Sequence, residues 1–272
     1  MDCKREERKL LVMAKENSVI LHGMALGDAT VKLDNDNNPV RGMLYIRTVD
    51  RTKTENGREE VQYTTIFVYS GNAKIIEEMR DIEAGDLVDV YGTITTAKVP
   101  KKRKCPVCGS INTSAGDVTY ISPLYICRRE AGLGEEKVNE LLVKRAEMSN
   151  RVWAIGNICA GLEYNDKNGT GNPALRYQMA LPRTIRVHDD TSNKEADFPW
   201  VLATGVQALE GKDALRIGSV VYIKGHLRSK EQQKEVQCNQ CGSTFTSPDF
   251  PLMRISPHFT EYLHNCNFPD AD

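Results

Sequence analysis

The sequence predicts a mainly β protein, built as two tandem five-stranded barrels joined by a helical linker. Three observations carry that expectation. The chain repeats itself at a fixed offset of 133 residues. Each copy is a series of short, alternating apolar runs bounded by turn residues. One short helical segment stands between the third and fourth runs of each copy.

The repeat is read position by position. Asn17, Val19 and Gly23 return as Asn150, Val152 and Gly156, Gly85 as Gly218, and Gly92 as Gly225. Cys105, Cys108 and Gly109 return as Cys238, Cys241 and Gly242. Ile121-Ser122-Pro123 returns as Ile255-Ser256-Pro257, one residue out of phase. A long period with two copies indicates a duplicated domain, because a solenoid needs several short repeats to bury its faces.

In the first copy, 19–24, 42–49 and 61–69 read as strands, 72–82 as a helix with Ile75, Ile76 and Met79 on one side, and 86–96 and 119–126 as the last two strands. Five strands with a helix between the third and fourth is the order of an OB barrel. The second copy follows with 151–158, 175–181, 198–204, a turn or helix near 206–209, then 219–228 and 252–256. Residues 135–148 have helical periodicity and form the linker. The expected boundaries are 1–16 for an N-terminal extension, 17–127 for barrel one, 128–149 for the linker, 150–263 for barrel two and 264–272 for a tail. Phe67, Trp153 and Tyr222 are assigned to the barrel interiors.

With 272 residues, 40% hydrophobic and 27% charged, the composition is that of a soluble globular chain. There is no apolar run of the ~20 residues needed to cross a bilayer. The start of the chain has no apolar stretch with a cleavage site, so the expected location is the cytoplasm, without membrane contact. A net charge of −1 means that nucleic-acid contacts must come from local basic patches.

Several blocks resemble bacterial single-stranded DNA-binding proteins: Asn17-Ser-Val-Ile-Leu-His-Gly23, then Ile66-Phe-Val-Tyr-Ser-Gly-Asn-Ala73, then Glu83-Ala-Gly-Asp-Leu-Val-Asp-Val-Tyr-Gly92. In the second copy, Trp200-Val-Leu-Ala-Thr-Gly-Val-Gln-Ala208 and Arg216-Ile-Gly-Ser-Val-Val-Tyr-Ile-Lys-Gly225 match in the same way. The chain departs from the common pattern by carrying two barrels and by lacking a Gly/Gln/Pro-rich tail. Its end, Asn267 to Asp272, is acidic, which a frayed terminus explains as well. The resemblance implies sequence-tolerant binding and protection of single-stranded DNA in replication, recombination, repair or mobile-element transfer. It also implies a homodimer, because four barrels are common among the relatives, and replication or recombination proteins as further partners.

Such binding needs cations for phosphates and aromatic faces for bases, each stacked base contributing about 1–3 kcal/mol. The segment between strands four and five, read as a loop, supplies Lys98, Lys101, Lys102, Arg103 and Lys104 in copy one, and Arg228, Lys230 and Lys234 in copy two. The run from Pro100 to Lys104 also resembles a nuclear import signal. Rings available for stacking are Tyr45, Tyr63, Tyr69, Tyr177, Phe198 and Trp200. Arg47, Arg51, Arg183 and Arg186 share those segments and suit phosphate or cation–π contacts. A basic run can equally be a solvated face, and a strand aromatic can equally be core.

Cys105-Pro-Val-Cys108-Gly and Cys238-Asn-Gln-Cys241-Gly have the form of zinc knuckles, but each supplies two ligands where a structural zinc takes four. Cys127 near the first pair, and His258, His264 and Cys266 near the second, are extra candidates that do not align with each other. The pairs do align, so one site pooled from Cys105, Cys108, Cys238 and Cys241, within a chain or between subunits, is the expectation. Metal-free hairpins or a redox pair are the alternatives. Cys3 and Cys159 read as unligated. There is no phosphate loop and no acidic cluster at metal spacing, and the five histidines lack a matching nucleophile. The chain therefore reads as a binding module and not an enzyme. A primosome or recombination mediator, and a zinc-dependent nucleic-acid enzyme, are the rival classes.

Overall fold

Strand alternation positions everything that follows. The computed structural model describes residues 15–53, 59–166, 172–183 and 194–265. In β1 (Glu16–Ala25), Val19 and Leu21 are buried while Ile20 between them is exposed. β2 (Thr30–Leu33), β3 (Pro39–Lys53) and β4 (Glu59–Ser70) form a meander. α1 (Ala73–Met79) follows, capped by the Asn72 side chain, which accepts from the Lys74 amide, and it buries Ile75, Ile76 and Met79. β5 (Leu87–Lys104) and β6 (Ile111–Glu130) pair along their length, and β6 closes the barrel beside β4 at Val68↔Ile121. The linker forms α2 (Glu135–Lys144) and α3 (Ala146–Ser149). It packs Val138, Leu142 and Ala146 on Met24, Val49 and Leu87, a small core outside the barrel.

The second copy repeats the plan with β7 (Asn150–Asn165), β8 (Ala174–Pro182), β9 (Ala196–Asp197), β10 (Trp200–Thr204), α4 (Val206–Ala214), β11 (Ser219–Lys230), β12 (Gln233–Gln237), β13 (Thr244–Pro248) and β14 (Leu252–Asn265). It closes at Val201↔Ile255, the counterpart of Val68↔Ile121. Both copies are OB barrels.

The barrels are joined by their first strands. β1 pairs β7 antiparallel, with Val19 opposite its own repeat partner Val152, so a local two-fold passes through that pair. One twelve-stranded sheet therefore runs through both barrels. The repeated asparagine has a structural cause. Asn17 donates to Ile94 O at 3.0 Å and accepts from Ile94 N at 2.9 Å. Asn150 does the same with Leu227 at 2.9 and 2.8 Å, so a side-chain amide extends each ladder where the two first strands meet. Gly92 and Gly225 sit at register shifts, where a Cβ would meet the Ser122 and Ser256 carbonyls at 2.5 and 2.4 Å. No backbone with a side chain could make either bend.

Three interior assignments are corrected. Phe67, Trp153 and Tyr222 are half-buried on outer faces, because Ile66 and Val68, Val152 and Ala154, and Val221 and Ile223 take the inward positions beside them. Alternation along a strand leaves no second inward place between two such neighbours.

Candidate nucleic-acid interface and four-cysteine cluster

Alternation in β3 and β4 sends Leu44, Ile46, Ile66 and Val68 into the core and puts the intervening rings outside. Tyr45 stacks on its cross-strand partner Phe67, with centroids 5.0 Å apart and planes at 26°. Tyr69 and Tyr120 meet edge to face at 5.3 Å, and Tyr120 lies 6.3 Å from Phe67. Tyr45, Phe67 and Tyr69 form one surface across β3 and β4, backed from β6 by Tyr120, which is only 7% exposed. Tyr63, half exposed, extends it toward Arg47, whose guanidinium carbon lies 6.0 Å from the ring and which pairs with Glu135 at 2.6 Å. Arg51 donates to Val143 O at 2.8 Å. In the second copy, Phe198 is exposed, and Trp200 is half-buried with Arg176 stacked 3.8 Å above its centroid.

The basic run is not a loop. Residues 98–104 continue β5, and with 111–119 of β6 they make a long ribbon. Its two-residue period sorts the cations. Lys98, Lys102 and Lys104 face solvent on one side. On the other side Lys101 lies 4.6 Å over the Phe250 ring, and Arg103, only 3% exposed, pairs with Asp249 at 2.6 Å and bonds Ser114. Lys230 and Lys234 are exposed beside the second ribbon.

Four expected contacts are corrected. Tyr177 is 0% exposed, deep in the second core between Leu175 and Met179, and cannot stack on a base. Arg103 is committed to Asp249. Arg183 grips Asp197 with two bonds of 2.7 Å, and Asp197 in turn accepts from Thr96 N at 2.8 Å, tying the barrels together. Arg228 is bound to Asp50 and Gln62 of the first barrel. Arg186 lies outside the described residues.

The ribbon tips bring the cysteines together. Cys105 N donates to Ser110 O at 2.8 Å and Gly109 N to Cys105 O at 3.0 Å; in the other tip Cys238 N donates to Ser243 O at 2.8 Å and Gly242 N to Cys238 O at 2.9 Å. Gly109 and Gly242, at φ 74° and 73°, supply the left-handed residue that each turn requires. All four sulphurs lie within 4.8 Å of one another, with Cys105–Cys241 at 3.8 Å and Cys108–Cys238 at 3.6 Å. These separations far exceed the ~2.05 Å of a disulfide. The Cys238 thiol is pushed down to about 5, first by the Ser110 hydroxyl and then by backbone amides of Cys241 and Gln240 and the Asn112 side chain. Ser243 likewise lowers Cys105. Four thiols held this close, two of them biased toward thiolate, are compatible with a metal ion. Cys127 and the described histidines are outside the cluster, and Cys3 and Cys266 lie outside the described residues. Among the described residues, no helix is long and apolar enough to cross a membrane.

No curated protein matches the chain. Residues 149–244 match the single-strand binding protein family. A deletion variant of the single-stranded DNA binding protein from Thermus aquaticus has the same fold across 96% of this chain and 100% of its own, with a TM-score of 0.60 at 17% identity. The wild-type Thermus aquaticus protein covers 95% and 98%, with a TM-score of 0.54 at 16% identity. The fold of these proteins thus extends over both copies, and the resemblance of the sequence to bacterial single-stranded DNA-binding proteins holds.

Sequence reasoning missed Phe67 as an outward ring, Tyr120 as the buried ring that braces it, and Arg176 beside Trp200. A signal for Tyr177 was present: 133 residues earlier stands Leu44, an inward residue of β3.

Proposed function

We propose that this protein binds single-stranded DNA without sequence preference and coats it during replication, recombination, repair or mobile-element transfer. The observation that carries the reading is the ring face of Tyr45, Phe67 and Tyr69 on an OB barrel, braced by the buried Tyr120, together with solvent-facing lysines on the ribbon that continues β5. Rings take any base, and ammonium groups take any phosphate, so affinity without sequence preference follows. The test is competition between labelled oligo-dT and a duplex over a salt series. Preference for the single strand, weakening as salt rises, is the expected result; equal binding to both ends the reading. This is a binding role, with the cluster serving structure and not turnover.

The cysteines complete the proposal. One structural zinc ion shared by Cys105, Cys108, Cys238 and Cys241 fits the donor set, because Zn–S bonds of about 2.3 Å place tetrahedral sulphurs about 3.8 Å apart. That spacing is close to the observed 3.6 and 3.8 Å. The ion would staple the ribbon of one barrel to the ribbon of the other.

A homodimer fits the opposite surface. Ile20, Tyr91 and Tyr125 form an exposed row across β1, β5 and β6, and Trp153, Lys224 and Phe259 form its counterpart across β7, β11 and β14. The local two-fold at Val19–Val152 relates the rows, so the face is self-complementary in layout and a second copy is the natural cover. Sedimentation showing only a 30.5 kDa species would exclude it.

A further inference from the structure

The two outer faces differ at matched positions. In the first barrel, Thr95, Tyr120, Phe67 and Tyr45 are neighbours across β5, β6, β4 and β3. At the repeat offset, the same row in the second barrel reads Arg228, Arg254, Trp200 and Gln178 across β11, β14, β10 and β8. Where the first barrel has two rings side by side, the second has a guanidinium beside one ring, and Arg176 covers that ring at 3.8 Å.

The charges on this face are unevenly satisfied. Arg228 at one end is bound to Asp50, and Arg176, over Trp200, has Glu163 3.9 Å away as its ion-pair partner among the described residues. Arg254 between them has no ion-pair or hydrogen-bond partner among the described residues, although it is half-buried. Burial first, then the charges of Arg228 and Arg176, push its acidity upward, so its pKa falls below the usual arginine range. A half-buried guanidinium facing two like charges costs stability in the free protein, and a phosphate anion would relieve that cost. A planar guanidinium matches phosphate geometry bidentately.

Resting on the single-strand reading above, we propose that Arg254 and Arg176, beside Trp200, form a subsite for the phosphodiester backbone, while the rings of the first barrel take bases. One bound strand then meets two different surfaces on the two copies. The outward rings of the first copy make contacts that salt leaves largely intact, and the guanidiniums at the matched place on the second make contacts that salt weakens.

The test uses the full chain with labelled oligo-dT and with an abasic oligomer of equal length, each titrated over a salt series. R254Q should weaken binding to both strands by the same factor, about tenfold at low salt, equivalent to about 1.4 kcal/mol. It should also reduce the salt slope by about 0.7, the loss of one phosphate contact, while R254K, which keeps the charge and loses the planar fork, should keep the slope and lose part of the affinity. Y45A should weaken oligo-dT alone, with its slope unchanged. R176Q, at an exposed site, should reproduce the R254Q pattern and stands in should R254Q fail to fold. The proposal is overturned if R254Q or R176Q binds both strands like the wild type, or loses affinity for oligo-dT only. Failure of the wild type to bind either strand would instead remove the single-strand reading itself.

Discussion

At the ribbon tips the two copies agree bond for bond, whereas on the outer faces they agree only in backbone. Cys105 and Cys238 make the same two turn bonds to within 0.1 Å, because the turn, its glycine and its sulphurs must all be right together. Tyr45 and Phe67, by contrast, have become Gln178 and Trp200 without disturbing a ladder that pairs them in the same register. An outward strand position contributes little to the core, so a duplicated barrel can change what it touches while keeping what it is. The ribbons differ too: β5 and β6 run unbroken to the first tip, while the second is split into β12 and β13.

The largest effect is expected at the shared tips. Zinc held in such sites is linked to folding, so chelation should loosen both ribbons together, read by limited proteolysis. Cys105→Ser and Cys238→Ser should be equally damaging, and elemental analysis should find one zinc per chain. Two ions per chain, or damage confined to one ribbon, breaks the shared site.

Buried and exposed partners come next. Tyr177→Ala should lower stability by about 3–5 kcal/mol while leaving affinity per folded molecule intact. Tyr63→Ala should do the reverse, costing about 1–3 kcal/mol of binding with little change in melting temperature. On the first ribbon, Arg103→Ala strands the Asp249 carboxylate and should destabilise by about 3–5 kcal/mol. Reversing Lys98, Lys102 and Lys104 to glutamate should instead flatten the salt slope in a folded protein. If Arg103 and Lys102 variants behave alike, the two-sided ribbon is wrong.

The last expected effect is on pH and shows only in acid. Burial first, then the charges of Arg228 and His258, push His226 down to about 3 from 6.5. Between those values the unfolded chain takes up a proton that the folded chain refuses, so stability falls as pH drops from 6.5 toward 3. His226→Gln should flatten that part of a denaturation profile, and an unchanged slope would show that another group carries it.

The sequence by itself determined the duplication, the strand order and the cysteine pairing, because each leaves a mark at fixed spacing. The 133-residue offset ties Cys105 to Cys238 before any coordinate is known, and Gly92 and Gly225 mark bends that no other residue could make. It determined less about which side of a strand a residue faces at the edges of a run. Lys101 to Lys104 looks uniform as a string, and only pairing with β6 sorts it into alternating outward and inward cations. Tertiary structure alone decided the partners of Arg103, Arg183 and Arg228, since Asp249, Asp197 and Asp50 lie 146, 14 and 178 residues away. Tertiary structure alone also carried the first ribbon tip across to the second. A guanidinium is long, flexible and always charged, so nothing local separates one that will meet phosphate from one that will meet a carboxylate; that choice is made when the barrels pack.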